Sequence, residues 1–173
     1  MDVFAWQPSN MARVPKWVIR HALSVNVFVP LVAQKRRVLG IEKSSSVRKE
    51  VEEWVKAGIV GPVRYPPWIS NSVLVKKVDD TWRMCIDFKN LNSACPKDYY
   101  PLPKIDLKID SVMGFCFKCF LDVYKGYHQI QMCEEDEEKT AFYTDQGTYC
   151  CTQMPFGLKN ADSIYQRLVD SAF

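Results

Sequence analysis

The sequence has 173 residues, of which 47% are hydrophobic and 25% charged, and a formal net charge of +3. This balance is typical of a globular domain with its own core and excludes wholesale disorder. No run of about 18 apolar residues and no secretory signal occurs, so we expect an intracellular protein, cytoplasmic or nuclear, that is neither secreted nor bound to a membrane.

The first half of the chain predicts an irregular lead segment, a helix and a β-hairpin. Residues 1–43 contain three prolines and a basic run at 34–37, which we interpret as a solvated linker, with a phosphate contact or a localisation signal as the alternative. An apolar stripe predicts a helix that opens at Ser44 and ends at Gly58. Three β-prone runs follow, at residues 59–63, 71–77 and 82–88, and the last two predict a hairpin.

The second half of the chain predicts short strands and helices in alternation. A proline-rich loop over residues 92–103 leads into a modest helix over 104–113. The later predicted elements are an apolar strand at 117–123, a strand at 129–132, a hairpin of 140–144 with 148–153, and a helix at 159–172. This order of elements predicts an α+β fold.

The charge is distributed unevenly along the chain. Residues 1–110 carry 18 Lys and Arg against 11 Asp and Glu, whereas residues 111–173 carry 5 against 9. A basic front half suits a polyanion and an acidic back half suits a bound cation, while an uneven solvated surface is the plainer alternative.

The seven cysteines are an odd number in a chain without an export signal, which favours free thiols. The Cys116-x-x-Cys119 spacing is compatible with a metal or redox site. A structural zinc site needs four ligands, however, and only two histidines are present. We therefore predict buried core thiols at Cys116 and Cys119, and likewise at Cys85, Cys150 and Cys151.

Asp122 follows the apolar run that predicts a strand buried on both faces. An ionised carboxylate in such a place is costly unless it is paired or bound to a metal. A magnesium ion held by Asp122 and the Val123 carbonyl would satisfy it, and an aspartate that caps the following turn would do so equally well.

Two further segments carry basic or anion-binding signals. Lys76, Lys77 and Arg83 lie on facing strands of the predicted hairpin and could converge on one phosphate group, or they could protect an exposed sheet edge. Residues 154–161 lead from an apolar bulge into a helix whose N-terminus can face an anion, although a plain strand-to-helix loop is the better explanation of this segment by itself.

Taken together, these segments resemble the reverse transcriptase region of gypsy-type LTR retrotransposon polyproteins, of the kind found in plants. The matching motifs are Trp82-Arg83-Met84-Cys85-Ile86-Asp87-Phe88, Tyr100-Pro101-Leu102-Pro103, Phe120-Leu121-Asp122-Val123-Tyr124-Lys125-Gly126-Tyr127-His128-Gln129, Lys139-Thr140-Ala141-Phe142 and Met154-Pro155-Phe156-Gly157. Residues 2–6 also resemble the stretch that links protease to polymerase in such polyproteins.

This resemblance implies a right-hand polymerase fold with fingers, palm and thumb. Residues 1–43 would be a lead segment, and residues 44–173 would be the fingers and the first part of the palm, without the thumb. The implied activity is RNA-directed DNA polymerisation, with an RNA or DNA template-primer and deoxynucleoside triphosphates as partners. The implied cofactor is Mg²⁺, with Mn²⁺ as the alternative, in a two-metal mechanism.

The resemblance also implies roles for individual residues. Asp122 would be the first metal-binding carboxylate, Val123 would offer a backbone oxygen, and Tyr127 would pack under the sugar and exclude a 2′-hydroxyl. The remaining implied nucleotide-binding residues are Arg83 with Lys76 or Lys77 for the triphosphate, and Phe156 and Gly157 beside the nucleotide and template.

The chain departs from the family pattern in three respects. It contains no Tyr-x-Asp-Asp, it has no thumb, connection or RNase H region, and Lys125 stands where the family usually has a small or neutral residue. Without the final palm strands and thumb, we expect an apolar palm face with Phe120 and Ile130 to be exposed. We therefore expect weak metal binding and no activity by this chain alone, unless a partner supplies the missing portions in trans. The alternatives are a non-catalytic nucleic-acid-binding remnant and a decayed transposon fragment.

Overall fold

In a computed structural model, which describes residues 10–119 and 122–172, a long helix packs across a five-stranded sheet. This helix, α1 (Ile41–Lys56), begins three residues before the predicted Ser44. It buries Val47, Val51 and Trp54 against the sheet, as its apolar stripe predicts. Gly58 follows the end of α1 with φ +64°, a conformation that glycine adopts at little cost.

The sheet combines strands from both halves of the chain. The strands are β1 (Arg20–His21), β2 (Val60–Pro62), β3 (Ser70–Lys76), β4 (Trp82–Ile86), β5 (Gln131–Met132), β6 (Phe142–Tyr143) and β7 (Thr148–Cys151). The five-stranded sheet has the order β2-β7-β6-β3-β4, in which only the β3–β6 pair is parallel. The parallel pair β1–β5 stands apart from it and joins the lead segment to the second half.

Short helices connect the strands. They are α2 (Lys89–Ala94), α3 (Ile105–Ser111), α4 (Glu134–Glu137) and α5 (Ala161–Ala172), with 3-10 turns at Gly126–Gln129 and Glu138–Thr140. This mixture of helices and sheets confirms the predicted α+β class. Within the described ranges, no helix has both the length and the apolar character needed to cross a bilayer.

The core lies between α1, the five-stranded sheet and the start of α5. Ile130, Phe142 and Met154 are fully buried in it, so the expectation that Ile130 would be exposed is wrong. The cause is local, because the Met154 N–H donates to the Ile130 carbonyl at 2.8 Å and ties the two segments together. Phe120, the other residue of that expectation, lies outside the described residues.

The apolar run before Asp122 does not form the expected buried strand. Residues 117–119 have no regular structure, Phe117 is 94% exposed, and Asp122 and Val123 are also exposed. Phe120 and Leu121, which complete the run, lie outside the described residues. The hydrophobicity that predicts a strand therefore has no covering partner in the described part of the chain.

The cysteines divide into two groups. Cys85, Cys116 and Cys119 are exposed, so the prediction that they are core thiols is wrong. Cys150 and Cys151 are buried, as predicted. Burial raises the pKa of the Cys151 thiol to about 12, which keeps it protonated and unreactive.

Residues 10–40 are mostly irregular, as predicted, yet they are attached to the core at defined points. The Arg13 guanidinium donates to the carbonyls of Ala57 and Gly58 at 3.1 and 3.3 Å, which caps the end of α1. Residues 2–6, which resemble a protease–polymerase linker, lie outside the described residues.

Candidate functional site

A cleft of about 520 Å³ opens beside α1 and gathers most of the predicted site residues. Its walls come from β4, from residues 122–128 and from the loop before α5. Five predicted residues line it, namely Arg83, Asp122, Val123, Tyr127 and Phe156. Three segments that are distant in sequence thus meet at one concave surface, as binding sites commonly do.

Asp122 stands at the open side of this cleft. Tyr165, on α5, lines the same cleft, and burial and then the charge of Asp122 raise the pKa of Tyr165. Among the described residues, no group of three or more His, Cys, Asp or Glu side chains is placed to hold a metal ion. A cation at Asp122 would therefore take its other oxygen ligands from elsewhere, for example from phosphate groups.

Tyr127 forms a rigid aromatic wall of the cleft. Its ring centroid lies 4.7 Å from that of Phe156 and 5.1 Å from that of Tyr165. Its hydroxyl donates to the Asp162 carboxylate. Burial and then this hydrogen bond raise the pKa of Tyr127, so the hydroxyl stays protonated and its orientation is fixed.

Gly126 allows this aromatic cluster to close. A Cβ atom at Gly126 would lie 2.7 Å from Cε2 of Tyr165, which is closer than real contacts allow. The absence of a side chain at position 126 therefore lets the Tyr165 ring approach the backbone next to Tyr127.

Phe156 connects the aromatic wall to the basic side of the cleft. The Arg83 guanidinium carbon lies 5.6 Å from the centroid of the Phe156 ring, a cation–π arrangement. Gly157, the next residue, lies outside this cleft on a neighbouring groove and has φ +90°. Its carbonyl accepts a hydrogen bond from the Asn92 side chain at 2.7 Å, which fixes the loop.

The β3–β4 hairpin separates the three predicted basic residues. Val75 pairs with Arg83, and Lys77 is two residues further on, so Lys77 and Arg83 share a face of the hairpin. Both line a second, open cleft of about 940 Å³ that adjoins the first. Lys76 belongs to the opposite face and pairs with Asp80 at 2.7 Å. The geometry thus favours Lys77 over Lys76 as the partner of Arg83.

Glu50 and His128 are among the ionisable residues of the clefts for which no site role was predicted. Glu50, on α1, lines both clefts and accepts a hydrogen bond from the Met84 N–H at 3.2 Å. Burial raises the pKa of Glu50, against the lowering effects of Met84 and Lys125. A glutamate on the polar side of an amphipathic helix gives no sequence signal that it will face a cleft.

His128 closes the floor of the first cleft. It is buried between Trp54 and Phe156, with ring centroids 5.7 and 5.6 Å away. Burial, and secondarily the charge of Lys125, lowers the pKa of His128 to about 4, so the imidazole is neutral near pH 7. In the sequence, the only sign that His128 lies at the site is its position directly after Tyr127.

Lys125 also lines both clefts, next to Asp122 and Arg83. It adopts a left-handed conformation with φ +46°, which is costly for a residue with a side chain. Such strained residues cluster at functional sites, and Lys125 adds a positive charge to a cleft that Asp122 also lines.

Comparison with known proteins identifies the family. Residues 75–173 match the family model described as reverse transcriptase (RNA-dependent DNA polymerase). The chain is 39% identical over 132 residues to the retrovirus-related Pol polyprotein from transposon gypsy of Drosophila melanogaster, which covers 73% of this chain and 13% of that protein. It is 33% identical over 165 residues to the polyprotein from transposon 297 of the same organism, covering 88% of this chain and 15% of that protein.

Solved structures give the same fold. A prototype foamy virus protease-reverse transcriptase has a TM-score of 0.76 at 21% identity, over 87% of this chain and 20% of that chain. A foamy viral protease-reverse transcriptase in complex with an RNA/DNA hybrid has a TM-score of 0.71 at 16% identity, over 88% and 20%. The chain therefore adopts part of a reverse transcriptase polymerase fold and spans less than a sixth of the length of the two transposon polyproteins.

Proposed function

We propose that the cleft binds the incoming nucleotide of template-directed DNA synthesis, because this chain belongs to the reverse transcriptase (RNA-dependent DNA polymerase) family. The observation that carries the proposal is the meeting of Arg83, Asp122, Tyr127 and Phe156 at one cleft. We further assign residues 44–173 to the fingers and the first part of the palm, with residues 1–43 as a lead segment.

Asp122 and the carbonyl of Val123 would hold a divalent cation, Mg²⁺ or Mn²⁺. A single exposed carboxylate fits this role, since Mg²⁺ is commonly bound by one or two carboxylates together with substrate phosphates and waters. When bound, the cation would offset the negative charge that develops at the reacting phosphate. The charge of Lys125, which lines the same cleft, would oppose the cation.

Tyr127 would support the sugar of the nucleotide. Its ring is held between Phe156 and Tyr165, and its hydroxyl is bound to Asp162, so it cannot turn aside easily. A fixed ring under the sugar leaves no room for a 2′-hydroxyl, which would favour deoxynucleotides over ribonucleotides.

Arg83 and Lys77 would bind the triphosphate. They share one face of the hairpin beside the cleft, and Arg offers a planar fork while Lys offers a point charge. The stacked Phe156 orients the guanidinium, and Gly157 on the adjoining groove would face the template side.

Nucleotidyl transfer in this family also uses a Tyr-x-Asp-Asp motif, which these 173 residues do not contain. We therefore propose that this chain binds template-primer and nucleotide, and that catalysis requires the missing polymerase portion in cis or in trans. Binding without catalysis is the second candidate function, and the positive charge of Lys125 in the same cleft as Asp122 favours it for the isolated chain.

The test is a nucleotide titration of the purified chain with and without Mn²⁺. We expect a deoxynucleoside triphosphate to bind more tightly than its ribonucleotide counterpart, and Mn²⁺ to strengthen binding. Tyr127→Ala should abolish the preference for the deoxy form, whereas the matched variant Tyr99→Ala, at an exposed tyrosine outside the cleft, should keep it.

Asp122→Asn should remove the effect of Mn²⁺, with Asp106→Asn on α3 as its matched control. Absence of nucleotide binding by the unaltered chain would contradict the proposed site. Primer extension by the same chain would contradict the requirement for the missing portion.

A further inference from the structure

Cys116 and Cys119 are exposed thiols, separated by two residues, that the proposed function does not use. Their apolar surroundings predict core thiols, whereas the structure leaves both residues in contact with solvent. A Cys-x-x-Cys spacing is typical of reactive dithiols, and a thiol must be accessible in order to react. The spacing and the exposure together favour a redox site over a structural one.

The backbone between the two cysteines is not held in a strand. It bends at Cys116 and has no regular structure over residues 117–119. A disulfide requires Cα atoms no more than about 7 Å apart, whereas an extended backbone would separate the Cα atoms of Cys116 and Cys119 by about 10 Å. The strand that the sequence predicts here would keep the thiols apart, and the irregular backbone that the structure shows permits them to meet.

The surroundings of Cys116 are open. Gly114 has φ +86°, and a Cβ atom placed on it would have no atom within 4 Å beyond its neighbours in the chain. Phe115 and Phe117, on either side of Cys116, are 67% and 94% exposed. A small soluble reagent can therefore approach the sulfur of Cys116, and a disulfide ring that closes here displaces no packed side chain.

The other cysteines provide a comparison within the same chain. Four of them are buried, and burial raises the pKa of each thiol, which makes it a poor nucleophile. These four are Cys95, Cys133, Cys150 and Cys151. Cys85 is exposed, but it lies on β4, where its register partner is Val73. An oxidant should therefore react with three thiols, and two of these three belong to the Cys-x-x-Cys pair.

We propose that Cys116 and Cys119 form a reversible dithiol–disulfide site whose oxidant is a small-molecule disulfide such as oxidised glutathione. In the first step, the thiolate of one cysteine attacks the glutathione disulfide, and one glutathione thiolate leaves. In the second step, the thiolate of the other cysteine attacks the cysteine sulfur of this mixed disulfide, and the second glutathione thiolate leaves. The two cysteines lose two electrons and two protons, which convert one oxidised glutathione into two reduced glutathiones.

The second step is favoured because both thiols belong to one short segment. A thiol on the same short, irregular segment acts at a high effective concentration, so it competes well with free glutathione. The closed disulfide holds residues 116–119 in a turn and excludes an extended backbone just before Asp122. The inference goes beyond the proposed function, because it does not require any nucleotide to bind.

The test uses the folded, reduced Cys85→Ser variant, in which six of the seven thiols remain and the pair is the exposed one. The variant is incubated with oxidised glutathione, and its remaining thiols are then alkylated under denaturing conditions. We expect two of the six thiols to escape alkylation and no glutathione to stay attached. Dithiothreitol should restore all six thiols.

Mass spectrometry locates the two lost thiols. A protease that cleaves beside aspartate releases both cysteines on one fragment, because Asp110 and Asp122 flank the pair and no aspartate lies between them. This fragment should carry no alkyl group and should be lighter than the reduced fragment by two hydrogen atoms. The same treatment of the unaltered chain should add one glutathione at Cys85, the exposed thiol on β4.

The matched control is Cys116→Ser in the same Cys85→Ser background. It keeps the exposed Cys119 but removes its partner, so the reaction should stop at the mixed disulfide with one glutathione attached. Three results in the Cys85→Ser variant would each overturn the inference. They are glutathione on both cysteines of the pair, a disulfide that joins two chains, and full alkylation of all six thiols.

The proposed function fails separately from this inference, because the measurement follows thiol chemistry and not binding. If the chain forms the disulfide but binds no nucleotide, the nucleotide site is wrong and the redox site stands. If the chain binds nucleotide but the pair forms no disulfide, the redox site is wrong and the nucleotide site stands.

Discussion

Ile130 and Ile105 lie in short apolar segments of similar pattern, yet Ile130 is fully buried and Ile105 is 76% exposed. Ile130 belongs to residues 126–172, which we name the covered region. Its apolar residues pack against α1 and the sheet, and strands from the first half of the chain pair with it. Pairing with distant strands is what closes this part of the core.

Ile105 belongs to residues 102–119, which we name the uncovered segment. Leu107 and Phe117 in the same segment are also exposed, and α3 buries none of its residues. Contiguous apolar surface of this kind is typical of surfaces that bind another part of a protein or a partner. The comparison teaches that an apolar pattern marks residues that gain from burial, whereas burial itself requires a partner surface.

The largest effect is expected from substitutions at Ile130 and Ile105, which test the comparison of the two regions directly. Ile130→Ala should lower the free energy of unfolding by about 2–5 kcal/mol, because it removes buried methyl groups and leaves a cavity. Ile105→Ala, the matched variant, should change it by less than about 0.5 kcal/mol, because the side chain is already hydrated. Urea unfolding followed by circular dichroism measures both, and similar losses in the two variants would contradict the assignment of the two regions.

Acid should destabilise the covered region through two buried histidines. His128 belongs to this region, and His21 lies on β1, which pairs with β5 of this region. Burial lowers the pKa of His21 and His128 from 6.5 to about 4. The unfolded chain therefore takes up protons first, so stability is full above pH 6.5 and falls as the pH drops towards 4. Each histidine contributes up to about 3 kcal/mol to this loss.

The acid prediction is tested by unfolding His128→Phe and the unaltered chain at several pH values. The variant should lose about half of the histidine-dependent part of this loss, because His21 is then the one remaining buried histidine of the two. His21→Phe is the matched variant at the β1–β5 pair, the other buried histidine. A pH dependence that neither substitution changes would show that other groups control acid unfolding.

The same comparison explains how far the sequence predicts the fold. Helix α1, the β3–β4 hairpin and α5 follow from local periodicity and turn residues, and the motifs of the polymerase family follow from the residues themselves. The apolar run before Asp122 has the pattern of a buried strand, but its exposure depends on what lies beside it. A local pattern carries no information about a missing partner surface.

The candidate site was predictable to a similar degree. Arg83, Tyr127 and Phe156 come from motifs, and the structure brings them together as the resemblance implies. The choice between Lys76 and Lys77 depends on strand register, which is set by the turn at Asp79–Asp80 and not by the residues themselves. The attachment of residues 34–37 to the sheet depends on Asn71, more than thirty residues away in the sequence, so no local signal could reveal it.

The smallest effect is expected on the affinity for Mn²⁺, from a substitution at Lys125, which lies between the two regions in the sequence. Lys125 lines the same cleft as Asp122, so its charge should oppose a divalent cation there. A divalent and a monovalent cation repel each other by about 1 kcal/mol when they are about 8 Å apart in water, and at a separation of this order Lys125→Ser should tighten Mn²⁺ binding roughly fivefold. The gain should shrink as salt is added, because exposed charges are screened.

Electron paramagnetic resonance of free Mn²⁺ measures this affinity directly, with Lys56→Ser on α1 as the matched control. The control lies outside the described clefts and should leave Mn²⁺ binding unchanged. Equal affinity in Lys125→Ser and the unaltered chain would mean that the lysine points away from the carboxylate in solution.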